Sequence, residues 1–187
     1  MIEVFGVLAR EFRIPLDGVG FAGRLGPPLS HELARYDLDD ATIATIIARY
    51  RAIYPAIAIP LTVPMPGAVA ALESVAARGG RAVVVTAKFG PTAQAHLDRM
   101  RVKVEAVVGD LWSTGKAVAL QEYGAEVYVG DHLGDITGAR AADALAVSVA
   151  TGPISAADLA AAGADVVLTD LTEFPQWLDS YLLATVH

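Results

Sequence analysis

Cysteine is absent from the 187 residues, which excludes disulfides and thiolate metal sites and is compatible with a reducing cytosol. Positive charge is scarce: 14 Lys and Arg stand against 21 Asp and Glu, a net charge of −7. No basic run supplies phosphate neutralisation, so nucleic acid is not expected as a partner. The amino-terminal stretch M-I-E-V-F-G-V-L-A-R lacks a basic leading region and carries Glu3 early. It does not read as a signal peptide, and the expected location is cytoplasmic. A long apolar run free of proline is also missing. Ala52 to Leu72 carries no charge over a membrane-spanning length, yet Pro55, Pro60, Pro64, Pro66 and Gly67 would break a lone helix repeatedly. That stretch reads as a linker, and no membrane partner is expected. Neither a G-x-G-x-x-G nor a Walker-type loop follows a strand, which weakens the reading as a nucleotide-binding domain.

What is present is a 54% hydrophobic chain with 17 glycines and 10 prolines, long enough for one domain, or one with a small subdomain, around a sizeable core. Ile2 to Phe12 is apolar at Val4, Phe5, Val7, Leu8 and Phe12, a helical stripe. Loops are expected over Arg13–Val19 and Phe21–Pro28, with a helix over Leu29–Tyr36. Asp39 and Asp40 sit where an N-cap and a first-turn acid belong, and Ile43, Ile46, Ile47 and Tyr50 follow at helical spacing. The expected division is a small helical unit over residues 1–60 and an α/β unit over 61–187.

From Pro64 onward strands alternate with helices. The helix Ala68–Ala77 precedes the strand Ala82–Val85, and the helix Pro91–Met100 precedes the strand Val104–Val108. Lys116–Tyr123 is helical and is followed by strands at Val127–Val129, Leu145–Val149 and Val166–Leu168. This alternation implies right-handed crossovers and a mainly parallel sheet covered on both faces.

The stretch V-Y-V-G-D-H-L-G-D-I-T-G-A-R-A-A-D organises the chain. Val127, Tyr128 and Val129 read as a buried strand ended by Gly130. Asp131 then stands at the strand's carboxyl end and Asp135 one helical turn on. Such a pair suits a hard cation such as Mg²⁺, which takes one or two carboxylates and completes its octahedron with water and substrate phosphate. The alternative is that Asp131 starts a turn and Asp135 N-caps a helix. Two other strands or helices offer convergent polar groups. Thr86 ends V-V-V-T with the N–H groups of Ala87 and Lys88 behind it, and Lys116 brings a point charge suited to phosphate. Against these stand a turn-capping Thr86 and a solvated first-turn Lys116.

The chain resembles the haloacid dehalogenase superfamily, in its phosphoglycolate phosphatase-like group with a helical cap. V-P-M-P-G-A-V-A-A-L resembles the stretch entering the core after the cap, and V-V-V-T-A-K the second motif. Lys116 falls where the third motif places its lysine, with Ala117 where a proline commonly follows. V-G-D-H-L-G-D-I-T-G-A-R-A-A resembles the fourth, metal-binding motif. A-A-G-A-D-V-V-L-T-D-L-T-E-F resembles the last strand and helix, while Leu38–Tyr54 and G-R-L-G-P-P-L resemble the cap. The resemblance implies a Rossmann-like core and a Mg²⁺-dependent phosphatase of a small phosphorylated metabolite. Thr86 and Lys116 would be catalytic and, with Ala87 and Lys88, phosphate-binding. Asp131 and Asp135 would serve the metal, Asp135 by steadying a metal-bound water or the Lys116 ammonium. Arg24 would contact substrate from the cap loop.

One departure matters. The family opens with a strand ending in D-x-D-G-T, whose first Asp attacks phosphorus. The nearest string here, D-L-D-D-A-T at Asp37–Thr42, follows a helical stretch and fits a cap helix start. The missing strand belongs mid-sheet, between those at Ala82–Val85 and Val127–Val129, so two apolar edges are left unpaired unless they close onto each other. Without a carboxylate nucleophile no aspartyl-phosphate forms. The chain is thus either a truncated version of a longer enzyme or a member without the chemistry, and the persistence of Thr86, Lys116, Asp131 and Asp135 favours truncation. The alternatives are a non-catalytic phosphate-binding or regulatory protein, and a phosphomutase. An exposed strand edge would favour pairing with another chain, so a homo-oligomer is also possible.

Overall fold

The computed structural model describes residues 1–185. Everything before Thr62 is helical or connecting. Helix α1 (Ile2–Phe12) has the bounds the apolar stripe sets, with Val4, Phe5 and Leu8 buried. Asp17 accepts a hydrogen bond from the Gly20 N–H and starts a short helix, α2 (Gly18–Ala22). The sequence reading expects loop here, because a five-residue helix is too short to show periodicity. Next come α3 (Leu29–Leu33), a 3₁₀ turn over Ala34–Tyr36, and α4 (Asp40–Ala58). As expected, α4 is capped by the Asp39 carboxylate, which accepts the Thr42 N–H.

The helix α4 does not stop at Pro55 but runs through it to Ala58. The expected linker from Ala52 therefore shrinks to the stretch after the 3₁₀ turn Ile59–Leu61. A proline removes one helical hydrogen bond. Here that loss is offset by packing, since Tyr54 beside it is only 4% exposed and belongs to the core of Val4, Phe5, Leu8, Phe21, Leu33 and Ile46. Phe5 stacks on Phe21 with centroids 4.5 Å apart and meets Tyr50 edge-on.

After Gly67 the elements alternate. They are α5 (Ala68–Ala77), β1 (Val83–Val85), α6 (Gly90–Met100), β2 (Ala106–Val108) and α7 (Lys116–Glu122). Then follow β3 (Val127–Gly130), α8 (Leu133–Ala141), β4 (Leu145–Val149), α9 (Ala156–Ala161), β5 (Val166–Leu168) and α10 (Phe174–Thr185). Every pairing is parallel: β1 with β2, β3 with β4, and β4 with β5. One face packs Ala119, Leu120, Ile136, Ala139 and Leu159 of α7, α8 and α9. The other packs Ala71, Phe174 and Leu178 of α5 and α10. This is the expected α/β architecture with helices on both sides. Among the described residues, no helix is long and apolar enough to cross a membrane.

The sheet is in two pieces, β1-β2 and β3-β4-β5. Strands β1 and β3 do not close onto each other. A cavity of about 610 Å³ separates them, lined by Val83, Val84, Val85, Val127 and Val129 and floored by Ala71 and Leu178. The break falls where the sequence resemblance leaves a strand unaccounted for.

Candidate functional site

The turn from β3 into α8 builds a hydrogen-bonded polar cluster. Its N-cap is His132, whose Nδ1 accepts the Gly134 N–H at 3.1 Å. Asp135 is the third residue of the helix and closes a capping box: its Oδ2 accepts the N–H groups of Asp131 at 3.1 Å and His132 at 3.0 Å. Asp135 is thus neither the N-cap of the simple reading nor a carboxylate with a free oxygen. Its other oxygen, Oδ1, takes the Lys116 ammonium at 2.5 Å. Gly130 permits this arrangement, because a Cβ there would lie 2.4 Å from the Asp135 carboxyl carbon.

Lys116, at the start of α7, is buried at 5% exposure, so it is not a solvated first-turn lysine. Besides Asp135 it donates to the Tyr128 hydroxyl at 2.8 Å, and that hydroxyl donates to Val85 O at 2.8 Å. Burial first, and then the Asp135 carboxylate, pushes the Tyr128 phenol far above its ordinary value, so it stays protonated and able to donate. An ammonium has three N–H bonds. Two are used here, leaving one for a ligand.

Tyr128 is therefore a bridge that the sequence reading passed over as one of three strand residues. The signal was available: a tyrosine in a buried strand needs a partner for its hydroxyl. Through it, Val85 at the end of β1 is joined to Lys116, Asp135 and the N–H of Asp131 at the end of β3. Thr86 directly follows Val85. The structure so brings Thr86, Lys116, Asp131 and Asp135 to the carboxyl ends of β1 and β3, the rim where ligands bind in open α/β sheets.

Thr86 is anchored by its backbone, N–H to Val108 O and C=O from Leu111 N–H. Its Oγ1 accepts the Lys88 N–H at 3.1 Å. That N–H, one of the groups expected to hold phosphate, is engaged in the turn, which leaves the Thr86 hydroxyl proton and the Ala87 N–H as donors. The Lys88 side chain leaves the rim for the helical unit, where Nζ lies 3.3 Å from Tyr54 Oη and 4.8 Å from that ring's centroid. No carboxylate pairs with it among the described residues, and burial holds its pKa below the ordinary lysine value. His96 Nε2 is 3.1 Å from the same Tyr54 hydroxyl, and its Nδ1 is 2.6 Å from Thr62 Oγ1. Thr62, Tyr54, His96 and Lys88 thus form a polar chain between the helical unit and the α/β unit.

Asp131 differs from Asp135. Its carboxylate receives no hydrogen bond from another residue among those described, and it packs against Gly152 in the loop after β4. Burial, then the charge of Asp135, raises its pKa above the usual carboxylate range. The charges of His132 and Lys116 oppose that rise only in part. Among the described residues no group of three or more His, Asp or Glu is placed to hold a metal ion. The donor set nevertheless fits a Mg²⁺ held by one carboxylate, Asp131, with its remaining positions taken by phosphate and water. It does not fit direct ligation by Asp135, whose oxygens are committed.

Arg24 is paired to Glu32 through Nε at 3.2 Å and Nη2 at 2.5 Å, and Glu32 is itself buried. The guanidinium is therefore held by the helical unit rather than extended freely over the rim. Its loop does reach the site: a Cβ on Gly26 would stand 2.6 Å from the His132 ring, next to Asp131.

A family model described as haloacid dehalogenase-like hydrolase matches residues 22–140. No curated protein sequence matches the chain significantly. Among solved structures, a predicted phosphatase from Clostridium acetobutylicum superposes with a TM-score of 0.82 at 22% identity, over 96% of this chain and 90% of that one. A hydrolase from Pseudomonas syringae gives 0.77 at 20% identity, over 96% and 90%. A predicted phosphoglycolate phosphatase from Haemophilus somnus gives 0.75 at 16% identity, over 95% and 89%.

Proposed function

Since the chain belongs to the haloacid dehalogenase-like hydrolase family, we propose that its strand rim binds the phosphoryl group of a small phosphorylated metabolite as a Mg²⁺-assisted phosphatase scaffold. The observation that supports this reading is the buried relay from Val85 through Tyr128 to Lys116 and Asp135, which ties the ammonium to the main chain of the residue before Thr86. Thr86 donates its hydroxyl proton, and Ala87 its N–H, to phosphoryl oxygens. Lys116 donates its remaining N–H and neutralises charge on them. Asp135 aims Lys116 and shapes the turn that presents Asp131. Asp131 would hold the Mg²⁺, which when bound offsets phosphate charge as a Lewis acid.

A small substrate is supported by the Gly26 loop, which comes down on His132 beside Asp131. In this reading residues 1–60 cover the site and residues 61–187 carry it. The absence of cysteine suits a cytoplasmic setting.

Among the described residues the rim contributes no second unpaired carboxylate to attack phosphorus, so in this reading the chain binds phosphate without appreciable turnover of p-nitrophenyl phosphate. Calorimetric titration with inorganic phosphate, with and without Mg²⁺, tests the reading. It expects saturable heat that Mg²⁺ strengthens and Thr86→Val weakens at least several-fold. Phosphate binding indifferent to Thr86→Val, or none at all, would overturn it.

A further inference from the structure

One face of α4 reaches the rim of the α/β unit. Arg51 and Tyr54 share that face, at positions i and i+3 of the helix. Tyr54 meets Lys88 and His96. Arg51 touches two turns at once. Its guanidinium carbon lies 4.0 Å from the centroid of the Phe89 ring, in the turn after β1. Its Nη2 donates to Asp110 Oδ1 at 2.9 Å, in the turn after β2. The same two turns are zipped by main-chain bonds: Asp110 N–H donates to Lys88 O at 2.9 Å and Leu111 N–H to Thr86 O at 3.0 Å. They meet backbone to backbone, since a Cβ on Gly109 would stand 2.3 Å from Gly90 N. Asp110 holds a φ of 58°, a left-handed conformation that a residue with a Cβ keeps only where its surroundings fix it. Both turns lead to groups proposed above to hold phosphate. Thr86 and Ala87 come just before Lys88 and Phe89. Beyond Asp110, Trp112 packs on the His132 ring with centroids 5.0 Å apart, and the 3₁₀ turn Ser113–Gly115 then delivers Lys116.

We propose that Arg51 is a positioning residue: by stacking on Phe89 and pairing with Asp110 it clamps the two turns together and sets the geometry in which Thr86 and Ala87 grip phosphate. That consequence for phosphate rests on the reading above; the clamp itself does not. The openness of the pair argues for placement over general stability. The Arg51 and Asp110 side chains are 40% and 52% exposed, and an ion pair so open contributes little to folding. A turn already held in its binding geometry nevertheless gains affinity, because the ligand need not order it. Linkage makes the effect mutual. A phosphate that requires the clamped turns tightens Arg51 onto them, so the seating of the helical unit and the occupancy of the rim are coupled.

The test uses the 187-residue protein with inorganic phosphate. Arg51→Gln and Asp110→Asn each break the pair, and asparagine tolerates the positive φ. Arg49→Gln is the control, because Arg49 lies on the same helix and makes a comparably open pair with Glu11 inside the helical unit. Calorimetry reads phosphate affinity, amide exchange of Leu111 reads the bond to Thr86 O, and thermal unfolding reads the fold. Arg51→Gln and Asp110→Asn are each expected to weaken phosphate binding about fivefold, the scale of a half-exposed ion pair over a ring. Both should speed Leu111 exchange by a similar factor while the unfolding midpoint hardly moves. The double variant should lose no more affinity than either single one, and Arg49→Gln should change neither affinity nor Leu111 exchange. Charge alone gives a different pattern, since Arg51→Gln removes a positive charge and Asp110→Asn a negative one. Opposite effects of the two on affinity would therefore overturn the proposal. So would Leu111 exchange that neither variant speeds, or an affinity loss of the same size in Arg49→Gln. A parent chain that binds no phosphate sinks the phosphate reading, and the clamp is then decided by Leu111 exchange, which must be faster in both variants.

Discussion

Lys116 Nζ and Asp135 Oδ1 lie 2.5 Å apart, with the two side chains only 6% and 11% exposed. A buried pair of this kind contributes little net stability over an apolar isostere, yet removing one partner strands the other. Lys116→Met is accordingly expected to cost about 3–5 kcal/mol. The double variant Lys116→Met/Asp135→Leu should recover much of that loss in urea denaturation, and neither variant should retain phosphate binding. A single variant as stable as the parent would mean that the pair is not buried in solution.

Gly130 supports the same pair from beneath. A methyl group there collides with the Asp135 carboxyl carbon at 2.4 Å, and the strand backbone cannot yield without breaking the β3–β4 register. Gly130→Ala is expected to destabilise by about 1–3 kcal/mol, the usual range for overpacking. It should also weaken phosphate binding by moving Asp135 off Lys116. Thermal unfolding and calorimetry measure the two effects, and a neutral substitution would argue against the tight turn.

Lys88 presents the opposite balance. Its ammonium is partly buried against Tyr54 with hydroxyl and ring contacts only, and an unpaired charge drawn out of water disfavours the folded state. Lys88→Met keeps the stem's volume and removes the charge. It is expected to raise the unfolding midpoint. A destabilised Lys88→Met protein would indicate an acid partner for the lysine in solution.

Asp131 has a pH signature. Its folded-state pKa is raised, by burial first and then by Asp135, so the folded chain holds that proton more tightly than the unfolded chain. The associated stability is present below the ordinary Asp value of about 3.9 and is lost as pH rises through the raised value. Asp131→Asn removes that loss, so its stability relative to the parent should grow from pH 4 toward neutrality. Mn²⁺ titration followed by electron paramagnetic resonance should show a bound ion in the parent, in the presence of phosphate, and none in the variant.

Much of this was readable from the residues themselves. The bounds of α1, α5, β4 and β5 follow from periodicity, and the Asp39 cap from its place before an apolar run. The convergence of Thr86, Lys116 and Asp131 at one rim follows from the order of strands and helices. Other features depend on contacts that a linear reading does not contain. The passage of α4 through Pro55 depends on Tyr54 being buried against another helix. The commitment of Asp135 to a capping box depends on two backbone N–H groups that any residues would supply. Tyr128 shows its role only once β1 and β3 are seen to stand apart, because its partner is a main-chain carbonyl 43 residues earlier.

The contact between the helical unit and the α/β unit should itself respond to acid. His96 is held below its ordinary pKa by burial first and by the nearby Lys88 charge second. The folded state therefore resists a proton that the unfolded chain accepts near pH 6.5. The stability contributed by neutral His96 is complete above that value. It is lost as pH falls from there to the depressed folded-state value, where further acid adds nothing from this group. Replacing the imidazole by a neutral amide that keeps a hydrogen bond to Thr62 or Tyr54 removes the titration. Urea midpoints measured from pH 8 to pH 5 should fall for the parent and fall less for His96→Gln. Parallel curves would show that His96 is solvated and that the polar chain through Tyr54 does not hold the two units together.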